Sequence, residues 1–425
     1  MARHPTGRVV EAVWRMEAAR IVGALARMLR NVGLAEELAQ DAVVEALGRW
    51  PCEGVPDKPA AWLMQVAKHR ALDHLRHQAM QAEKAGALTW ELEERLRDAQ
   101  PDPETVAARA GADIDDDVLR LMFAACHPLL PPEGRAALTL KVVAGLSTAE
   151  IARAFLVPEP TLAQRIVRAK RTLLEAKVPF EVPRGPELAP RLASVLQVIY
   201  LIFNEGYSAS AGADWLRPAL CREALRLGRI LAALVAGMPD AGEAYGLVAL
   251  MEIQSSRERA RLTPNGEPVL LLEQDRARWD RLAIGRGLAA LDEAGRLGAL
   301  GPYGLQAAIA ACHARALRAQ DTDWRRIAAL YDALAQALPS PVVELNRAVA
   351  LSMAFGPQEG LDLVDALLDV PALRGYHLLP SVRGDLLAKL GRHSEAKAEF
   401  ERAAALTQNV RERALLLARA RAADG

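Results

Sequence analysis

Three sets of polar residues in this chain are spaced so that a helix would gather each onto one face, and each set suggests a different chemistry. Glu37, Asp41 and Glu45 stand at i, i+4 and i+8, a row of three carboxylates with no basic residue interleaved to neutralise it. Such a row faces water or meets a basic partner. Thr161, Gln164, Arg165, Arg168 and Arg171 share the polar side of a segment whose apolar residues Leu162, Ile166, Ala169 and Leu173 fall at i, i+4, i+7 and i+11. Hydroxyl, amide and guanidinium groups on one such helix can reach base edges and phosphates from a major groove. His69, Asp73 and His77, with His74 close by, have the spacing by which a helix can offer metal ligands. Their segment is cationic, however, and supplies neither a second carboxylate nor an open coordination position. A phosphate-cradling glycine loop, a nucleophile elbow and HExxH are all missing from the sequence. No metal centre, cofactor or enzymatic active site is therefore expected.

Local signals say which elements hold these sets. Ser147-x-x-Glu150 is a capping box that starts a short helix at Thr148 and carries it to Phe155. Leu156-Val157-Pro158 makes a turn, and a second helix begins near Glu159 or Pro160, where proline is tolerated in the first turn. The result reads as a helix-turn-helix with a basic recognition helix; an αα-hairpin with a solvated cationic face has the same pattern. Upstream, the acidic helix is followed by an irregular loop from Trp50 to Pro59. Next comes a helix that packs Trp62, Leu63, Val66 and Ala67 while Lys68 and Arg76 point away. A loop beside a cationic helix suits melted or single-stranded DNA.

At 425 residues, 51% hydrophobic and only 4% aromatic, the chain is long enough for roughly two to four packed units. Ala, Leu and Arg recurring at helical spacing make it all-α. Acidic and basic residues cancel overall, yet 81–118 holds 4 basic and 11 acidic residues while 134–177 holds 8 basic and 3 acidic. An acidic connector thus precedes a basic module. Cys52, Cys126, Cys221 and Cys312 are scattered singly, which excludes a disulfide framework or zinc knuckle and fits a reducing cytoplasm. The N-terminus lacks the apolar core of a signal peptide, and no stretch approaches 18 uninterrupted apolar residues, so a soluble protein is expected. Composition divides the chain into a first module over 1–80, an acidic linker over 81–117 with a helix around 90–97, and the helix-turn-helix module over 118–177. A proline-rich linker over 178–190, a helical extension over 191–300 with a loop around 262–268, and a repeat region over 301–425 complete it.

The series Ala35-Glu36-Glu37-Leu38-Ala39-Gln40-Asp41, followed by Ala61-Trp62-Leu63-Met64-Gln65-Val66-Ala67-Lys68-His69-Arg70-Ala71-Leu72-Asp73-His74-Leu75-Arg76, resembles region 2 of the extracytoplasmic-function (ECF) branch of the sigma-70 family. The helix-turn-helix is similar to region 4, and the order and separation agree over roughly residues 10–175. The resemblance implies a cytoplasmic initiation factor that binds core RNA polymerase and promoter DNA. On that basis Glu37, Gln40, Asp41 and Glu45 would dock on the β′ clamp helices, with a further contact to the β flap. Lys58, Trp62, Lys68, His69 and Arg76 would read and open the −10 element, and Thr161, Gln164, Arg165, Arg168, Lys170 and Arg171 would read −35. Where the family usually carries an Arg-Asn pair in the −10 helix, this chain has Lys68-His69.

The C-terminal half resembles the extension of a subgroup of these factors that carries a tetratricopeptide-like domain. Gly356 and Gly391 are 35 apart, Tyr331 and Phe400 are 69 apart, and Leu386 to Arg392 with Glu395, Ala396, Phe400 and Ala403 has the small-and-bulky alternation of paired helices. The string from Tyr200 to Ser210 is the most distinctive. Gly206 can cap a helix there, and Asn204, Glu205, Tyr207 and Ser208 either line a regulatory pocket for a small molecule or protein partner or satisfy backbone groups at a helix junction. A ligand-regulated helix-turn-helix regulator that never joins a polymerase would explain the second module and this half equally well, but would leave the acidic row and the Trp62 helix without a purpose.

Overall fold

Small and aliphatic residues between Val10 and Leu29 bury a whole stripe of the first helix and set the packing of everything near it. The computed structural model describes residues 5–84, 112–155, 157–208, 216–238, 240–407 and 409–423. Among the described residues the fold is all-α, with an isolated β-bridge between Leu262 and Pro268. The chain divides into two units, Met1–Ile199 and Tyr200–Gly425. The connector helix expected around 90–97 lies outside the described residues.

In the first unit α1 (Pro5–Leu29), α2 (Val32–Glu53) and α3 (Pro59–Lys84) pack pairwise. The buried stripe of α2 is Ala35, Ala39, Ala42 and Ala46, each no more than 1% exposed, and methyl-sized side chains at that spacing let neighbouring helices approach closely. α3 answers with Leu63, Ala67, Ala71 and Leu75. Asn31 caps α2 by accepting from the Leu34 amide at 3.1 Å. The sequence places an irregular loop from Trp50 onward, but α2 runs through Pro51 to Glu53 and leaves only 54–58 irregular. Trp50 is buried edge-on against Trp62, ring centroids 5.4 Å apart, and this contact holds the last turn. Pro51 gives up the bond its N–H would make to Leu47 O, and the helix ends two residues later, ahead of Gly54, which has positive φ.

α4 (Ala112–Ala125) packs on α1, and α5 (Pro132–Val142), α6 (Thr148–Phe155) and α7 (Glu159–Glu175) form the second module. The first part of α8 (Leu188–Tyr207) belongs to the same unit. Arg191 donates to Phe123 O at 3.0 Å, Ser194 donates to Cys126 O at 2.6 Å, and Arg135 donates to Ser194 Oγ at 2.6 Å. α8 begins ahead of Pro190, inside the stretch expected to be a proline-rich linker, because a proline in the first turn has no intrahelical N–H bond to lose. By length and composition one segment among the described residues, Gly185–Tyr207, is apolar enough to cross a membrane.

The second unit begins in the last turns of α8 and continues through α9 (Pro218–Leu234), α10 (Ala241–Ser255), α11 (Arg281–Arg296), α12 (Pro302–Arg315) and α13 (Trp324–Ala337). α14 (Pro341–Phe355), α15 (Pro357–Ala366), α16 (Leu378–Lys389), α17 (His393–Leu406) and α18 (Val410–Ala422) follow. Most helices pack on their neighbours in chain order, α12 returning past α11 to lie on α10, and three cores succeed one another. The first centres on Leu250, Trp279 and Ala311, the second on Ile309, Ile327 and Leu334, and the third on Leu361, Leu387 and Phe400. Gly356 and Gly391, the pair 35 apart, both adopt positive φ at helix ends. The loop expected around 262–268 is closed by the Leu262–Pro268 bridge. Gly206 is not a cap. It lies inside α8, where a Cβ would stand 2.7 Å from the Cys221 amide, so its small size is what lets α9 pass so close.

α10 is buried on nearly all sides and carries Glu252 into the interior, where Arg229 (2.9 Å) and Arg286 (3.1 Å) neutralise it from two helices. His313 on α12 is buried against the Trp324 ring with Nδ1 unpartnered. Burial, then the charges of Arg257 and Arg276, push its pKa from the ordinary 6.5 down to about 3. The unfolded chain therefore binds a proton near pH 6.5 that the folded chain refuses. Stability is complete above that pH and drains as pH falls toward 3, by about 1.4 kcal/mol per unit. Melting temperature should fall between pH 7 and pH 5, and His313→Asn should flatten that slope; an unchanged slope would mean the imidazole is not held neutral.

Candidate nucleic-acid interface

The capping box is formed as the sequence reads. Ser147 N donates to Glu150 Oε2 at 2.9 Å and Glu150 N donates to Ser147 Oγ at 3.2 Å. α7 then starts with Glu159-Pro160 and buries Leu162, Ile166, Ala169 and Leu173. That burial fixes its rotation, leaving Thr161, Gln164, Arg168 and Arg171 exposed and Arg165 half-buried. Arg171 is also within 2.9 Å of Glu175, an exposed pair one turn on. Val167, which a pattern of polar residues does not single out, is 61% exposed on the same face, and an apolar side chain between Gln164 and Arg171 can meet a thymine methyl.

On α2, Glu37 and Asp41 are exposed, and Gln40 and Glu45 are half-buried. The row has basic partners both across the packing, on α3, and one turn on in α2 itself. Arg70 of α3 reaches Asp41 at 3.4 Å and Glu45 at 2.9 Å, and Arg49 reaches Glu45 at 3.4 Å. Glu37 stands apart from these pairs, at the start of the row. Val44 and Leu47, 66% and 47% exposed, lie beside the carboxylates. The face therefore combines negative charge with apolar surface, a composition typical of a docking patch. Lys58, His69 and Arg76 are exposed, and Trp62 is half-buried against Trp50. Arg76 is within 3.6 Å of Asp73, and His77 of 2.8 Å of Gln81. The Lys68 ammonium is pushed down by desolvation and then by Arg27, with Asp117 opposing. Among the described residues no group of three or more His, Cys, Asp and Glu is placed to hold a metal ion.

Within the first unit the two modules touch. Glu36, 4% exposed, receives Lys170 of α7 at 2.6 Å and Lys141 of α5 at 3.5 Å. Trp14 Nε1 donates to Gly145 O at 3.0 Å, and Arg15 pairs with Glu150, the residue that closes the capping box. Gly145 has φ +69, and a Cβ there would fall 2.8 Å from Ala18 Cβ, so only glycine suits this crossing. Lys170 takes part in this contact. Expected among the phosphate contacts, its ammonium is engaged by Glu36 in this conformation, while Arg168 and Arg171 are exposed. Asp117, buried at 1%, is held by Arg27 at 3.0 Å and Arg120 at 2.8 Å; burial pushes its carboxyl up and the two guanidiniums pull it back.

In the second unit the residues singled out near the end of α8 do not converge. Glu205 pairs with Arg217, and Tyr207 stacks on Phe203 with the Arg261 guanidinium 3.5 Å above its ring. Asn204 and Ser208 are exposed.

Comparison with known proteins matches residues 13–80 to Sigma-70 region 2, residues 120–173 to Sigma-70 region 4, and residues 191–295 to a family of unknown function. An uncharacterised protein of Rhizobium meliloti is 46% identical over 396 residues, spanning 93% of this chain and 91% of that protein. The RNA polymerase sigma factor CarQ of Myxococcus xanthus is 35% identical over 146 residues, 33% of this chain and 73% of CarQ. The ECF RNA polymerase sigma factor SigC of Mycobacterium tuberculosis is 28% identical over 185 residues, 41% of this chain and 87% of SigC. A region 2 bundle, a capped region 4 helix-turn-helix and relatives that align across both together place this chain in the sigma-70 family of RNA polymerase sigma factors, in its ECF branch.

Proposed function

We propose that the chain directs core polymerase to its promoters by a division of labour between the two faces of its first unit. The observation that carries this reading is α7, whose buried stripe leaves Thr161, Gln164, Val167, Arg168 and Arg171 on one open side. That helix reads −35, with Gln164 and Val167 at base edges and Arg165, Arg168 and Arg171 on phosphates. Lys58, Trp62, Lys68, His69 and Arg76 engage the −10 element as it melts. Glu37, Gln40, Asp41 and Glu45, with Val44 and Leu47, dock on the β′ clamp, and region 4 meets the β flap. The protein acts stoichiometrically in the cytoplasm and performs no catalysis of its own. Its second unit, a tetratricopeptide-like array, regulates or supports that work.

The two readers cannot serve a promoter while joined through Glu36 and Lys170. Elements at −10 and −35 lie about 25 base pairs apart, about 85 Å of B-form duplex at 3.4 Å per pair. The Glu36–Lys170 contact is 2.6 Å. The closed unit is accordingly the free form, and polymerase binding opens it, releasing Lys170 to join the phosphate contacts.

Transcription by core polymerase from a cognate promoter tests the whole reading; a regulator that never joins the polymerase would leave core enzyme inactive there. Arg168→Ala should weaken duplex binding across sequences and lower the salt slope by about 0.9. Normal binding at raised salt would remove α7 from the duplex. Asp41→Lys should cut affinity for core polymerase at least tenfold at low salt, with the fold preserved because Asp41 is exposed.

Glu36→Gln should cost the free protein about 2–3 kcal/mol in urea denaturation, since it strands two lysines beside a buried site. The same change should raise affinity for −35 duplex by freeing Lys170. Lost stability with unaltered DNA affinity would show that the closed contact does not restrain region 4. A variant ending after Ser208 is better than one cut at the prolines, because Arg191 and Ser194 bond within the first unit. If it transcribes like the full chain, the second unit is dispensable for initiation.

A further inference from the structure

Three guanidinium groups lie buried close together in the second unit, and the fold neutralises them only in part. Arg257, Arg261 and Arg276 are 8%, 5% and 4% exposed. Arg261 donates to Tyr207 O at the end of α8, and Arg276 donates to His313 O and Ala316 O, each at 2.8 Å, at the end of α12. Each helix C-terminus is equivalent to about half a negative charge, so the two offset about one of the three cations. Two carboxylates act from nearby: Glu258 on Arg261, and Asp321 on Arg276. Asp321 is already engaged by both arms of Arg318 at 2.8 and 3.0 Å.

Arg257 is the charge left over. Its guanidinium stands 5.8 Å from the ring centres of both Tyr207 and Trp279, and its Nε is buried without a hydrogen-bond partner. The surroundings register the excess. Arg261 and Arg276 are pushed down by burial and by Arg257, and the His313 imidazole is pushed down by burial first and then by Arg257 and Arg276. Burying like charges without a counter-ion is costly enough that such an arrangement implies an anion.

Trp279 connects this cluster to open space. It is 2% exposed, lies 5.1 Å from the Arg276 guanidinium, and its Nε1 has no partner. The same residue lines a cavity of about 570 Å³ whose other walls are Arg259, Ala277, Arg278 and Asp280. Asp280 is committed elsewhere, since its Oδ1 caps α11 by accepting from Leu282 N at 2.9 Å and Ala283 N at 3.1 Å. The cavity wall therefore presents two exposed arginines, and Trp279, almost wholly buried, lies between it and the buried cluster. A volume of that size suits a small metabolite, and planar guanidiniums favour phosphate oxygens.

We infer that this cavity is a binding site for a small phosphate-bearing molecule, held by Arg259 and Arg278 and drawn there by the uncompensated charge of Arg257 behind Trp279. The site lies in the segment matched by the family of unknown function, and its occupancy is measured without polymerase, so it stands or falls apart from the reading of the first unit.

The test is calorimetric titration of the full chain with inorganic phosphate and, separately, adenosine 5′-monophosphate, in chloride buffer of matched ionic strength. Saturable 1:1 binding is expected for both, tighter for the nucleotide if it fills the cavity. At phosphate one hundred times its Kd, the melting temperature should rise by about 5 °C. R259Q/R278Q, altered only at exposed positions, should keep its phosphate-free melting temperature and lose at least tenfold in affinity. R257M should melt no lower than the parent in phosphate-free buffer and still bind more weakly. The proposal is overturned if neither anion saturates, if R259Q/R278Q binds as the parent does, or if R257M melts several degrees lower without phosphate, which would make Arg257 a structural brace.

Discussion

The carboxylate of Glu36 is the point on which the first unit turns. At 4% exposure it has lost nearly all contact with water, and an ionised carboxylate so placed is tolerable only beside compensating charge. Lys141 and Lys170 supply it from α5 and α7. One acidic residue of α2 thereby holds both the framework of the helix-turn-helix module and its second helix. Trp14 over Gly145 and Arg15 against Glu150 complete the contact. Surface ion pairs are weak and easily screened, whereas this one is nearly dry at its centre and is screened much less.

The second unit solves buried charge differently at different places. Glu252 is balanced from two sides by Arg229 and Arg286, and Glu243 accepts from the amides of Tyr303 and Gly304 at the start of α12. Both are closed accounts in which each acid has its donors. The arginines around Trp279 lack that balance, and the contrast within one unit sets them apart from ordinary structural pairs.

Much of the first unit was legible because its signals are local. The Ser147–Glu150 box, the turn at Pro158 and the four buried residues of α7 all lie within thirty residues of one another, where periodicity and capping decide the outcome. The repeat spacing of Gly356 and Gly391 was readable for the same reason. What escaped was set by partners far along the chain. Arg70 answers the acidic row from 25 and 29 residues away, and Lys170 answers Glu36 from 134. Gly206 looked like a helix cap and instead makes room for α9. The Trp279 cavity had no linear signature, because its arginines recur at spacings that a solvated helix would share.

The order in which the helices of the second unit pack has a mechanical meaning. Leu300 and Leu330 border both the first and second of its cores, and Leu345 and Ala348 of α14 belong to the third. A chain of cores joined by shared walls behaves as a nearly one-dimensional system, in which cooperativity extends only as far as each interface transmits it. α18 packs chiefly on α17, with side-chain contacts from Arg419 to Asp385 of α16 and from Arg411 to Gly266, so its amide hydrogens should exchange ahead of those in α10, which is enclosed by α9, α11 and α12. Rigidity is thus graded along the array, greatest where the buried arginines sit and least at the final helix.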